Sequence, residues 1–116
     1  MTQTIRIAAA VVIRTDGRTL LVRKRGTTAF MQPGGKIEPQ ETPSSALLRE
    51  LVEEIGMHAS PEALQPLGHF EASAANEAGF TVSADVFLIE SGDAHIASSA
   101  EIEELLWIDP ESRATS

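Results

Sequence analysis

The stretch GKIEPQETPSSALLRELVEEIGM, residues 35–57, carries the strongest structural signal in the chain. Thr42 is placed to cap a helix, Pro43 suits its first position, and Gly56 suits the residue just past its end. Between them Leu47, Leu48, Leu51, Val52 and Ile55 recur at helical spacing and predict one apolar face. Glu50, Glu53 and Glu54 stand at i, i+3 and i+4, so they share one side of the predicted helix, read here as the polar side. Like charges at this spacing destabilise a helix by about 0.2–0.5 kcal/mol per pair, so something must offset them. Arg49 can pair with Glu53 one turn on, but one arginine does not neutralise three acids. A hard divalent cation does, since magnesium takes oxygen ligands and favours carboxylates together with phosphates. A lone E-x-x-E-E is more often a solvated acidic face. Gly34 and Gly35, just upstream, offer bare backbone that can approach a metal or phosphate closely, although Pro-Gly-Gly alone reads as a plain turn.

On either side of the helix the pattern changes to strands. Ile5 to Ile13 is apolar and β-branched and reads as a buried strand, and Asp16-Gly17 as a turn. Thr19 to Arg23 then reads as the returning strand of a hairpin. Gly26 to Ala29 and Gln32 to Gly35 read as loops. Beyond the helix, Pro61 and Pro66 bracket a connection. Leu67 to Glu71 and Phe80 to Glu90 read as strands, the second alternating through Phe80, Val82, Ala84, Val86 and Leu88. Ser91 to Ser99 is a polar loop and Leu105 to Ile108 a last short strand. Strands, one strong helix and further strands predict an α+β domain with the helix packed on a sheet.

A chain of 116 residues fits one domain, 1–116, and 42% hydrophobic content provides a real core. The absence of cysteine excludes disulfides, thiolate catalysis and cysteine-based zinc sites, and agrees with a cytoplasmic setting. His58, His69 and His95 share no ligand spacing. The longest apolar run, Ile7 to Ile13, is too short to span a membrane, and no signal peptide is evident at the N-terminus. Net charge is −8, from 17 acidic and 9 basic residues, which disfavours binding to a nucleic acid backbone. The basic residues gather early, at Arg18, Arg23, Lys24, Arg25 and Lys36.

The full spacing decides between the readings. Gly35, Glu41, Arg49-Glu50-Leu51, Glu53-Glu54 and Gly56-Met57 fill every specified position of G-x5-E-x7-R-E-U-x-E-E-x-G-U, with U apolar. At ordinary residue frequencies a chance match is about one in a billion per start position. This pattern is the Nudix box, and the chain resembles the Nudix hydrolase family, within it the small MutT-like enzymes. The resemblance implies an α/β/α sandwich around a mixed sheet. It implies magnesium, with manganese as a substitute, held by Glu50, Glu53, Glu54 and the main-chain carbonyl of Gly34. Gly35, Glu41 and Arg49 then take structural roles, while Glu53, Glu54 and Glu101, six residues before Trp107, become the candidates for handling the attacking water. Arg23 and Lys24 are candidates for contacts to substrate phosphate.

The implied activity is hydrolysis of the pyrophosphate bond in a nucleoside diphosphate derivative: a nucleoside triphosphate, an oxidised one, ADP-ribose or a nucleotide sugar. The alternative is a catalytically silent nucleotide-sensing or interaction module of the same fold. The expected partner is a small nucleotide, with neither nucleic acid nor membrane. The sequence stops nine residues after Trp107, short of the C-terminal helix usual in MutT-like enzymes. The sheet face near Trp107 is therefore expected to be covered by a homodimer or by further residues.

Overall fold

The computed structural model describes residues 3–73 and 79–109. Its spine is β1 (Gln3–Ile13), whose alternation sends Ala8, Ala10 and Val12 to one face, where all three are fully buried. β2 (Thr19–Lys24) follows a turn in which Gly17 takes φ 88° and the Asp16 carboxylate accepts from the Arg18 amide. The expected hairpin holds only at this turn, with the single register pair Ile13↔Thr19. β2 then leaves β1 and pairs with β3 (Phe30–Met31) and with β7 (Ile102–Ile108).

The vacated edge of β1 is taken by β4 (Gly34–Lys36), in the register Ile7↔Lys36, Ala8↔Gly35, Ala9↔Gly34. Part of the stretch expected to be a loop is thus a strand. Its reason is steric. Gly34 has φ 145°, and a Cβ there would run into the Ala8 carbonyl oxygen, so only a side-chain-free residue brings the backbone this near β1. β5 (Gln65–Ser73) and β6 (Phe80–Glu90) complete the sheet, and β6 runs parallel to the whole of β1. The other pairings are antiparallel, so the sheet is mixed, with the strand path β3-β2-β1-β6-β5.

Helix α1 (Pro43–Ile55) begins and ends as its sequence predicts. The Thr42 hydroxyl accepts from the Ser45 amide and the Ser45 hydroxyl accepts from the Thr42 amide. Gly56 closes the helix in the left-handed conformation, and the Met57 amide returns to the Leu51 carbonyl. Leu47, Leu51 and Ile55 pack into the core with Ala8, Ala10, Val12, Phe87 and Ile89. Two expectations about this helix are corrected. Val52 is 39% exposed, while Glu54, read from the sequence as polar-face, is 2% exposed. Position 54 follows Leu47 by seven residues, two helical turns, so it lies under the apolar stripe.

On β6 the helix side carries Ser83, Phe87 and Ile89, all buried. The alternating set Phe80, Val82, Ala84, Val86 and Leu88 lies on the opposite face and is half-buried, alongside Ile7, Ala9 and Val11 of β1. Among the described residues there is no second α-helix to cover that face. The expectation of a missing C-terminal helix concerns residues 110–116, which lie outside the described ones. β7 begins three residues earlier than expected because Ile102 is drawn into the core.

Candidate active site

The last turns of α1 lie against β4, and the two glycines explain how. A Cβ on Gly35 would fall 2.5 Å from the Glu50 carboxylate, so the missing side chain is the cradle in which that carboxylate rests. The Gly34 amide donates to Glu54 Oε1 at 3.0 Å, and Lys24 Nζ, at the end of β2, lies 3.6 Å from Glu54 Oε2. Glu54 is therefore a buried carboxylate met by one main-chain donor and one ammonium. Burial pushes its pKa up, the Gly34 amide and Lys24 pull it down, and the Glu50 charge adds to the upward push.

Arg49 gathers the other acids. Its Nε and Nη2 grip Glu41 at 2.6 and 2.8 Å, while Nη1 reaches Glu50 at 3.0 Å and Glu53 at 3.1 Å. Nη2 also donates to the Lys36 carbonyl at 3.2 Å, tying the helix to β4. Hydrogen bonds from Arg49, and next from the Glu38 amide, lower the Glu41 pKa to about 2, and Glu41 in turn keeps Arg49 firmly protonated. Arg49 presents a fork of donors to several carboxylates at once, and together with Lys24 it offsets part, two of the four charges, of Glu41, Glu50, Glu53 and Glu54.

Among the described residues, no three His, Cys, Asp or Glu side chains are gathered closely enough, as they stand, to hold a metal ion. Glu50 and Glu53 turn to Arg49, and Glu54 to Gly34 and Lys24. The donor set nevertheless fits a hard cation. Glu50, Glu53 and Glu54 sit on adjacent turns of one helix, they offer oxygen only, and Glu50 already rests in the Gly35 cradle.

The remaining candidates come from two other segments. Between β6 and β7 the Ala97 amide donates to the Ile55 carbonyl and the Ser99 amide to the Glu54 carbonyl, at 3.0 and 3.2 Å. Two residues on, the Glu101 carbonyl accepts from the Arg25 amide at 2.8 Å. Glu101 thus enters beside the end of β2 and the end of α1. Glu103 is paired with Arg25 and Glu104 with Arg23, whereas the Glu101 carboxylate has no partner among the described residues. Arg23 is committed, donating to Glu104 and to the Thr27 carbonyl, so of the two basic candidates only Lys24 meets the box carboxylates.

Sequence reasoning missed the Ser99 anchor and the burial of Glu54. It also missed a cleft of about 420 Å³ beside Gly34 and Gly35, lined by Ile7, Ala9, Lys24, Met31, Gln32 and Lys36. Four separate strands and a linker contribute to that cleft, and no local pattern announces it. Of the aromatic rings that could stack on a base, Phe87 is in the core and Trp107 carries the Arg14 guanidinium 4.5 Å from its centroid, while Phe30 and Phe70 are exposed.

Comparison with known proteins agrees with this architecture. The CTP pyrophosphohydrolase of Escherichia coli (strain K12) is 32% identical over 115 residues, covering 92% of this chain and 77% of the relative. A MutT-like protein of Streptomyces ambofaciens is 39% identical over 56 residues, or 48% of this chain and 36% of the relative. This and the other shorter matches span between 26% and 52% of the curated relatives' own lengths. The crystal structure of a MutT NUDIX hydrolase from Burkholderia pseudomallei matches with a TM-score of 0.75 and 27% identity, covering 92% of this chain and 84% of that one. The NUDIX domain family matches residues 4–114, through both the box and the sheet that carries it, and the chain belongs to that family.

Proposed function

We propose that this chain is a magnesium-dependent pyrophosphohydrolase acting on a nucleoside diphosphate derivative. The observation that carries the reading is the buried Glu54, held between the Gly34 amide and Lys24 on the same helix as Glu50 and Glu53. Such a carboxylate is costly to keep unless its charge is used. Glu50, Glu53, Glu54 and the Gly34 carbonyl would hold magnesium, or manganese in its place. When bound, the ion neutralises phosphate charge and lowers the pKa of a coordinated water. As they stand, Glu50 and Glu53 face Arg49, so an ion would compete with those pairs, and Lys24, beside Glu54, would be placed to meet a substrate phosphate. Arg23 reaches phosphate only by leaving Glu104, so its share is smaller. Glu53, Glu54 and Glu101 supply the carboxylates that orient the attacking water or take its proton. Gly35, Glu41 and Arg49 keep the helix and β4 in place.

The net charge of −8 favours a small nucleotide over a nucleic acid. The relatives' names divide: an 8-oxo-dGTP diphosphatase and a CTP pyrophosphohydrolase name small nucleotides, and an RNA pyrophosphohydrolase of Halorhodospira halophila names RNA. No helix among the described residues is long and apolar enough to cross a membrane. The lack of cysteine fits a reducing cytoplasm, and either a homodimer or further residues of a longer chain would cover the half-exposed sheet face. The test is a panel of nucleoside triphosphates, oxidised triphosphates, ADP-ribose and nucleotide sugars with magnesium, assayed for mononucleotide, phosphate and pyrophosphate. We expect turnover of at least one member with release of a nucleoside monophosphate. Binding without turnover across the panel would favour the silent nucleotide-sensing module.

A further inference from the structure

On the β2 side, three contacts to the segment that delivers Glu101 come from one residue. Arg25 follows β2 directly, and its main-chain amide donates to the Glu101 carbonyl at 2.8 Å. Its Nε donates to the Ala100 carbonyl at 3.0 Å, and its Nη1 meets Glu103 at 2.6 Å. These ties bracket Ile102, which is 1% exposed and fixes the segment to the core. The ladder is irregular at this point. Arg23 faces Glu104 but Lys24 faces Ile102, so Glu103 is an extra residue on β7. Such bulges re-aim the neighbouring side chains. On its other flank the segment is tied to α1 through the Ser99 amide and the Glu54 carbonyl.

We propose that Arg25 is a positioning residue, holding residues 100–103 so that the Glu101 carboxylate stands beside the end of α1. This rests on the role given to Glu101 above. The magnitudes separate positioning from stability. The Arg25 side chain is 62% exposed and that of Glu103 38%, and an ion pair this open contributes little to folding. A misplacement of about 1 Å at a reacting group, by contrast, costs on the order of a hundredfold in rate. Arg25 therefore matters to turnover out of proportion to its effect on stability.

The experiment compares Arg25→Ala, Arg25→Lys, Glu101→Gln and the Arg25→Ala/Glu101→Gln double variant, with kcat and KM measured separately. Amide hydrogen exchange over residues 97–103 and at position 25 is followed alongside. For Arg25→Ala we expect kcat to fall by at least about tenfold with KM within about twofold. Exchange in the segment should be faster, and that of α1 unchanged. Arg25→Lys keeps a charge for Glu103 but loses the forked geometry, so it recovers activity in part. In the Glu101→Gln background the loss of Arg25 has no further effect, because both act through one carboxylate. A normal kcat for Arg25→Ala while Glu101→Gln is impaired overturns the Arg25 proposal and leaves the proposed function standing. A normal kcat for Glu101→Gln overturns both roles. Should no substrate be turned over, the proposed function fails, and unchanged exchange in Arg25→Ala would independently overturn the positioning role.

Discussion

The Gly34 amide and the Glu54 carboxylate, twenty residues apart in sequence, meet at 3.0 Å and join the last turn of α1 to β4. The bond explains why an acid is tolerated on the buried stripe of the helix. It also makes the two substitutions of Glu54 behave differently. Glu54→Gln keeps an acceptor for the Gly34 amide and removes a charge that burial disfavours, so the melting temperature should change by no more than about 3 °C. Its kcat should fall at least about tenfold. Glu54→Ala leaves the amide unpaired and should cost about 1–3 kcal/mol in denaturant unfolding. A Gln variant with wild-type turnover would reduce Glu54 to a structural acid.

Adjacent glycines should fail in different ways. At Gly34 an added Cβ meets backbone of β1 and φ is positive, so neither partner can yield, and Gly34→Ala should lose several kcal/mol or fail to fold. At Gly35 the obstacle is the far end of the Glu50 side chain, which can move aside. Gly35→Ala should therefore fold with nearly normal stability yet bind manganese more weakly, as read by titration calorimetry. Equal effects on stability from both substitutions would refute the cradle.

Arg49→Lys removes the fork that serves Glu41, Glu50, Glu53 and the Lys36 carbonyl together. A lysine can satisfy one of these at a time. We expect a loss of about 1–3 kcal/mol, towards the lower end because the site is partly exposed. Unaltered denaturant unfolding would show that the cluster contributes nothing to the fold.

On β5 and β6, away from the box, His69 Nδ1 lies 3.0 Å from Asp85, and its Nε2 lies 3.0 Å from Ser83 Oγ and 3.2 Å from Glu71. Asp85 first, then Glu71, raises the His69 pKa above its usual 6.5. The folded state thus binds the proton more tightly than the unfolded chain does. The stabilisation is complete below pH 6.5 and is lost as pH rises through the higher folded value. The difference in melting temperature between wild type and His69→Gln should shrink across that window. A difference independent of pH would contradict the pairing.

The span and ends of the helix were legible in sequence because their signals are local: a capping threonine, a proline at the first turn, leucines at fixed spacing and a terminal glycine. β4 was not, since two glycines read as a loop until the approach to Ala8 supplies the reason for them. The box residues were legible through their spacing. The side on which Glu54 falls was not, because three acids at i, i+3 and i+4 suggested a polar face while the seven-residue step from Leu47 places one of them inside. Partners that depend on distant segments, such as Lys24 for Glu54 and Ser99 for the end of α1, leave no local pattern to read.

The central claim is that the carboxylates of α1 work by holding a divalent cation. Its most direct test is turnover of the best panel substrate after exhaustive EDTA treatment, followed by stepwise return of magnesium. The account predicts no measurable hydrolysis in EDTA and recovery that saturates with added magnesium in the wild type, with the recovered rate strongly reduced in Glu54→Gln. Hydrolysis undiminished in excess EDTA would contradict it.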